Sequence, residues 1–253
     1  MTRMTTSDPW RGLRAHTTAR IALGASGASL PTAELLRLGT AHAQARDAVH
    51  QPLQLAALQA QLQDLNVPAI HVHSAATDRA TYLLRPDWGR RLSASSLAAL
   101  QAHKALPCDV LCVIGDGLSA TAVEHYAVPL LQILLPLLQA QGLSIGPVVL
   151  AEQARVALAD PVAQLLQARL VLMLIGERPG LSSSDSMGAY LTWAPQADTP
   201  DAARNCVSNI RDAGLSPAAA AYKLLWLIQQ AFARQLTGVA LKDESSTQRL
   251  ANM

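Results

Sequence analysis

The chain has 253 residues, 50% hydrophobic and 15% charged, with a formal net charge of +2. So much apolar surface at so low a net charge excludes a disordered chain. The interspersed basic and acidic residues exclude a nucleic-acid-binding face. Abundant Ala (46) and Leu (42) beside four Trp, four Tyr and one Phe favour closely packed helices. Seventeen of the 20 basic residues are Arg, which either suits bidentate contacts to carboxylates and phosphates or reflects a genome that favours GC-rich Arg and Ala codons.

Residues 1–8 are polar and read as a disordered tail. Residues 9–66 read as a small all-α N-terminal domain. Its first helix opens at Asp8-Pro9 and breaks at Gly24-Ala-Ser-Gly27. A second begins around Ser29, Pro31 and Glu34 and runs to Val49, and Leu53–Leu65 forms a third. Residues 67–253 read as α/β. Val67–Val72 is a strand, Thr81–Leu84 a weaker one, and Asp87–Ala105 a helix. Val110–Ile114 is a buried strand, followed by a helical region to about Gln141, kinked or split at its prolines. Pro147–Leu150 is a strand and Pro161–Arg169 a short helix. Leu170–Ile175 and Tyr190–Trp193 are strands, with Ala202–Ile210 a loop or helix. Ser216-Pro217 opens the last helix, whose stripe Ala221, Leu224, Leu225, Ile228, Phe232 and Leu236 has the spacing of one buried face. Apolar strands alternating with helices predict a mostly parallel sheet with helices on both faces. Ligands of such folds bind beyond the carboxyl ends of the strands, where both Gly-rich turns fall.

The most apolar window, Ala127–Leu138, is too short to span a bilayer, so no membrane segment is expected. Cys108, Cys112 and Cys206 form neither a disulfide framework nor a zinc site, and indicate a reducing, cytoplasmic location.

The candidate chemistry is sparse. Gly115-Asp116-Gly117-Leu118-Ser119 follows a strand and precedes a helix. It is either a turn whose amides approach a phosphate or an ordinary βα turn. It is neither G-x-G-x-x-G nor a P-loop. Gly176-Glu177-Arg178-Pro179-Gly180 delivers a carboxylate and a guanidinium from the end of a buried strand, either to a ligand or as an ion pair. Cys206, in Asn205-Cys-Val-Ser-Asn209, has no His near it in sequence, and a packed neutral thiol is the default. His71 and His73 face one side of a strand without a third metal ligand. Arg85-Pro-Asp-Trp-Gly-Arg-Arg91 is either a partner-contact loop or a capped helix start. No catalytic residue and no metal site is indicated.

Taken in order, several segments resemble one family. They are Asp8-Pro-Trp-Arg-Gly-Leu-Arg14, Thr18-Ala-Arg-Ile21, Gly24-Ala-Ser-Gly27, Arg85-Pro-Asp-Trp-Gly-Arg-Arg-Leu92, Gly115-Asp-Gly-Leu-Ser119, Gly176-Glu-Arg-Pro-Gly-Leu181 and Asn205-Cys-Val-Ser-Asn-Ile210. Together they resemble the small (light) subunit of ethanolamine ammonia-lyase, from Asp8 to about Gly238. The resemblance implies a Rossmann-like domain behind the helical N-terminal part. It implies a hetero-oligomer in which a large subunit holds ethanolamine and the radical chemistry, while this chain covers adenosylcobalamin at the interface. The product pair is acetaldehyde and ammonia. It implies cofactor contacts at Val156, Glu177 and Cys206. No Asp-x-His-x-x-Gly is present, so no His is offered to replace the benzimidazole base below cobalt. Location in a bacterial microcompartment is the alternative to the free cytoplasm, and the short segment before the first motif argues against it. The apolar stretch Ala127–Leu138 and the aromatic-bearing N-terminal helices are the expected subunit interface. The competing reading is a free-standing nucleotide-binding enzyme of Rossmann type, against which the missing G-x-G-x-x-G counts.

Overall fold

A computed structural model describes residues 5–103 and 106–245. The N-terminal segment is not purely helical. Thr5–Thr6 (β1), expected within a disordered tail, pairs antiparallel with Ala25–Ser26 (β2); residues 1–4 lie outside the described residues. Between them Asp8 caps a 3-10 segment, Pro9–His16, by accepting from the Trp10 N–H at 2.8 Å. That segment ends at Thr17, well before the Gly24–Gly27 break expected from sequence. Two helices follow, Thr32–His50 (α1) and Leu55–Asp64 (α2). Leu58 and Leu62 of α2 are fully buried in the same core as the central sheet.

The remaining elements are Ala69–His73 (β3), Arg79–Leu84 (α3), Ala94–Ala102 (α4), Cys108–Gly115 (β4), Ala120–Ala140 (α5), Val148–Glu152 (β5), Ala159–Leu165 (α6), Ala168–Gly176 (β6), Met187–Trp193 (β7), Arg204–Ile210 (β8) and Pro217–Arg234 (α7). Two corrections fall here. Thr81–Leu84 is the end of a helix, because Asp78 caps α3 through the Thr81 N–H and hydroxyl at 2.8 and 2.9 Å. Residues 204–210 form a strand that the sequence hides, because its Cys206, Ser208 and Asn209 are exposed on the sheet edge.

One six-stranded sheet has the order β3-β5-β4-β6-β7-β8. The first four strands are mutually parallel, while β7 is antiparallel to both β6 and β8. The expected mostly parallel sheet is present, and its antiparallel part is confined to β7 and β8. The link 177–186 holds no helix and is shorter than the roughly dozen residues a parallel crossover needs, so β7 returns antiparallel.

Helices cover both faces, as the β4 alternation requires. Val110, Cys112 and Ile114 pack with α2, α5 and α7, while Leu111 and Val113 pack with α4 and α6. Helix α5 runs unbroken through Pro129 and Pro136 and is long and apolar enough to cross a membrane. Its apolar length is accounted for inside the protein. Ala127, Leu130, Leu131, Leu134 and Leu138 are fully buried between the sheet and α7. This stretch is thus core and not the interface expected of it.

A buried ion pair ties the sheet edge to α6. Arg204 on β8 donates from both Nη atoms to Asp160 at 2.7 and 2.6 Å, and also to Thr192 Oγ1 and the Thr199 carbonyl. Both side chains are 2% exposed. Arg204→Leu is expected to lower the unfolding free energy by about 3–5 kcal/mol, because it strands the Asp160 carboxylate in the interior. The double change Arg204→Met with Asp160→Leu should lose less. Urea unfolding measures both, and a single-variant loss below about 1 kcal/mol would mean that the pair behaves as a solvated one.

Candidate functional site

The two Gly-rich turns at the strand ends do not frame a crevice; they fill each other. The Leu118 N–H donates to the Gly176 carbonyl at 2.9 Å. A Cβ on Gly117, whose φ is +56°, would overlap the Gly176 carbonyl, and a Cβ on Gly176 would overlap the Ser119 carbonyl. Both glycines permit a close backbone approach.

Asp116 likewise points inward. Its two oxygens accept from the Gln153 and Ala154 N–H groups at 2.9 and 2.8 Å, and Arg79 adds a contact at 3.3 Å. Burial pushes the Asp116 carboxyl up, opposed by these amides and by Arg79. The turn therefore anchors the exit of β5, a role that the sequence did not indicate.

That exit carries Arg155 and Val156 onto the α6 face of the sheet. Tyr82 sits between two guanidiniums, with Arg155 at 4.3 Å and Arg79 at 4.7 Å from its ring centroid. Its hydroxyl donates to the Ala154 carbonyl at 3.0 Å, and the Arg155 N–H donates to the Gly89 carbonyl at 2.8 Å. A Cβ on Gly89 would collide with Arg155 and Tyr82. The Arg85–Arg91 loop is thus tied to the exit of β5. Its Arg85 pairs with Asp87 and stacks on Trp88, ahead of a short 3-10 turn, Trp88–Arg90.

Val156 and Cys206 line one cavity of about 360 Å³ together with Arg90, Arg155, Ala157, Tyr190, Asp201 and Arg204. Cys206 and Tyr190 are register partners across β8 and β7. The Tyr190 phenol and the Cys206 thiol influence each other's ionisation, and Glu177 acts electrostatically on both. Glu177 leaves the end of β6 and is held by the Ser186 hydroxyl and by the Asn209 N–H at 3.2 Å, both on Oε2. Its Oε1 lies against the bare backbone of Gly188, 3.0 Å from where a Cβ would stand. The cavity therefore lies on the face of the sheet toward its β7–β8 edge, with Glu177 beside it at a strand end. Arg178 is exposed.

Tyr190, Gly188 and Arg155 were not singled out by sequence, and Arg90 was noted only as part of the Arg85–Arg91 motif. Gly188 carried the one usable signal, a glycine inside a strand pattern, which marks a close approach. His71 bonds to Glu152 at 2.8 Å and His73 to the Ser74 carbonyl at 2.7 Å. Among the described residues no group of three or more His, Cys, Asp or Glu side chains could hold a metal ion.

Cys206 is the exposed thiol of the three, with Cys108 and Cys112 buried. Even so, desolvation by the surrounding protein, with Glu177 adding to it, pushes its pKa above the ordinary thiol value, against a lowering bond from Tyr190. At neutral pH it is a neutral thiol. A thiol reagent is expected to titrate one cysteine in the native protein and three after unfolding. The native rate should keep rising with pH beyond the range where a free cysteine of pKa about 8.5 levels off, about pH 10. A native rate already at its plateau by pH 8 would contradict this.

Fold and cavity together define an α/β protein with a cavity on one face of its mostly parallel sheet. The sequence profile of the ethanolamine ammonia-lyase light chain (EutC) matches residues 7–242. The chain is 54% identical over 248 residues to an ethanolamine ammonia-lyase small subunit of Azotobacter vinelandii, covering 97% of this chain and 92% of that one. It is 53% identical over 241 residues to the protein of that name from Ralstonia nicotianae, covering 94% and 89%. The corresponding Pseudomonas putida protein is 51% identical over 251 residues, covering 98% and 92%. The chain belongs to the ethanolamine ammonia-lyase light-chain family.

Proposed function

We propose that this chain is the cofactor-covering subunit of an adenosylcobalamin-dependent ethanolamine ammonia-lyase that forms acetaldehyde and ammonia, and that it works with a large subunit carrying substrate and chemistry. When bound, adenosylcobalamin supplies an adenosyl radical by homolysis of its cobalt–carbon bond. The observation that carries the reading is the convergence of Val156 and Cys206 on one cavity, with Glu177 alongside.

The donor set suits a corrinoid. The ring is a broad apolar surface rimmed with amides, and it needs apolar contact together with a few placed acceptors. Val156, the Cys206 thiol and the Tyr190 ring supply the contact. Glu177 Oε2 is occupied by Ser186 and Asn209, which fixes the carboxylate and leaves Oε1 to accept from a rim amide. The neutral thiol and phenol bring no charge against the ring. The role of this chain is to bind and orient the cofactor and to exclude water from that side.

Trp10, Leu13, Leu35 and Leu36 are exposed on the N-terminal segment and α1, and form the surface we assign to the large subunit. Three free thiols support a cytoplasmic location. A free-standing nucleotide-binding enzyme fits less well, because the Gly115–Ser119 turn that would take a pyrophosphate is packed against Gly176.

The chain alone is expected to be inactive, and mixing with large subunit and adenosylcobalamin to restore acetaldehyde release. In that complex Glu177→Ala should weaken cobalamin binding about ten- to a hundredfold, with co-purification of the subunits unchanged. Equal affinity in variant and wild type would remove Glu177 from the cofactor site.

A further inference from the structure

The cavity that holds Val156 and Cys206 also holds three arginines that those two contacts do not explain. Arg90, Arg155 and Arg204 line it beside Asp201. Arg155 stacks on Tyr82, and its buried Nε has no hydrogen-bond partner. Arg204, 2% exposed, directs both Nη atoms to Asp160, Thr192 and Thr199, and its buried Nε is equally unfilled. Asp201 approaches Arg204 Nε at 3.6 Å and Arg90 Nη2 at 3.7 Å, beyond hydrogen-bond length for both. Buried donors without acceptors are rare in folded proteins and call for a missing acceptor. Of the charged side chains that line the cavity, three are guanidiniums and one is a carboxylate, Asp201, while Asp160 pairs with Arg204 and Glu177 stands at the strand end beside the cavity. The adjoining cavity of about 720 Å³ shares Arg90, Ala157 and Asp201 but adds Asp87 and Asp198 beside Arg91, so the excess of guanidiniums is confined to the first cavity.

We propose that Arg90 and Arg155, backed by Arg204, form a phosphodiester site that takes the anionic nucleotide tail of the corrinoid. The inference rests on the reading that this cavity faces the cofactor. A phosphodiester carries one negative charge and suits a wall on which guanidiniums outnumber carboxylates. Its two non-bridging oxygens offer several lone pairs to guanidinium donors approaching from different sides. The ring that would cover Val156 and Cys206 carries this anion on a covalent tether, so apolar surface and charge reach the cavity together. Arg90 and Arg155 thereby become specificity residues that distinguish a complete cobalamin from a corrinoid without its nucleotide.

The test is spectroscopic titration of the complex with its large subunit, using cyanocobalamin and dicyanocobinamide, which keeps the ring and amide rim but lacks the phosphodiester. Arg90→Gln and Arg155→Gln should each weaken cyanocobalamin binding about tenfold or more and leave cobinamide within about twofold. Arg90 is an exposed position, so its variant carries the test if Arg155→Gln, which loses its stacking on Tyr82, fails to fold. Equal weakening of both ligands, no weakening of either, or loss of subunit assembly in its place would overturn the proposal. Cys206→Trp separates the two levels. It should weaken both ligands, and if it weakens neither, the cofactor reading itself falls. If it weakens both while the arginine variants bind cyanocobalamin normally, only the phosphodiester site falls.

Discussion

A single buried carboxylate, Asp116, sets the geometry on which the site depends. It stands at the end of the central strand and receives the first two amides beyond β5, together with Arg79. A carboxylate with amide donors on both oxygens leaves the chain little freedom at Gln153 and Ala154. The next residues are Arg155 and Val156, so their direction follows from that anchor. The stack of Arg79, Tyr82 and Arg155 then fixes the same loop from its other side. The cavity-lining residues are held by a layer of polar contacts behind them, the arrangement a preorganised site requires.

The cavity lies where the fold changes character. Parallel strands deliver Gly115, Ala151 and Gly176 to one end of the sheet, and there the glycines pack too closely for a ligand to enter. The two antiparallel strands extend the sheet past α6. Tyr190 and Cys206 stand side by side on that extension, and the β5 exit closes over them. The Arg204–Asp160 pair joins this extension to α6, so the wall of the cavity and the stability of the sheet edge share one side chain.

Much of the fold was legible because burial is periodic. The strands around Val110–Ile114 and Leu170–Ile175, the stripe of the last helix and the caps at Asp8 and Ser216 followed from apolar spacing and turn chemistry. What failed had local patterns that tertiary structure overrode. Thr81 and Tyr82 look like strand residues, yet the Asp78 cap and the stacking on Tyr82 make them helical. Arg204–Ile210 looks like a loop because an edge strand can expose alternate polar residues. The paired glycine turns looked like a ligand crevice because sequence cannot show that Gly117 and Gly176 occupy the same space. Val156, Glu177 and Cys206 were identified by resemblance to a family. Their spacing alone gave no reason to bring them together, since the residues that join them, Tyr190 and Gly188, act through register across β7 and β8.

The central claim is that the face bearing Val156 and Cys206 is covered by the cofactor. The most direct measurement is the alkylation rate of Cys206, read by mass spectrometry, in the assembled two-subunit complex with and without bound cyanocobalamin. Cys108 and Cys112, buried in the core, serve as internal references. The account predicts that the cofactor slows modification of Cys206 at least about tenfold, as expected when bound ligand blocks a site held well above its Kd. An unchanged rate at saturating cofactor would contradict it and move the cofactor to another surface of the protein.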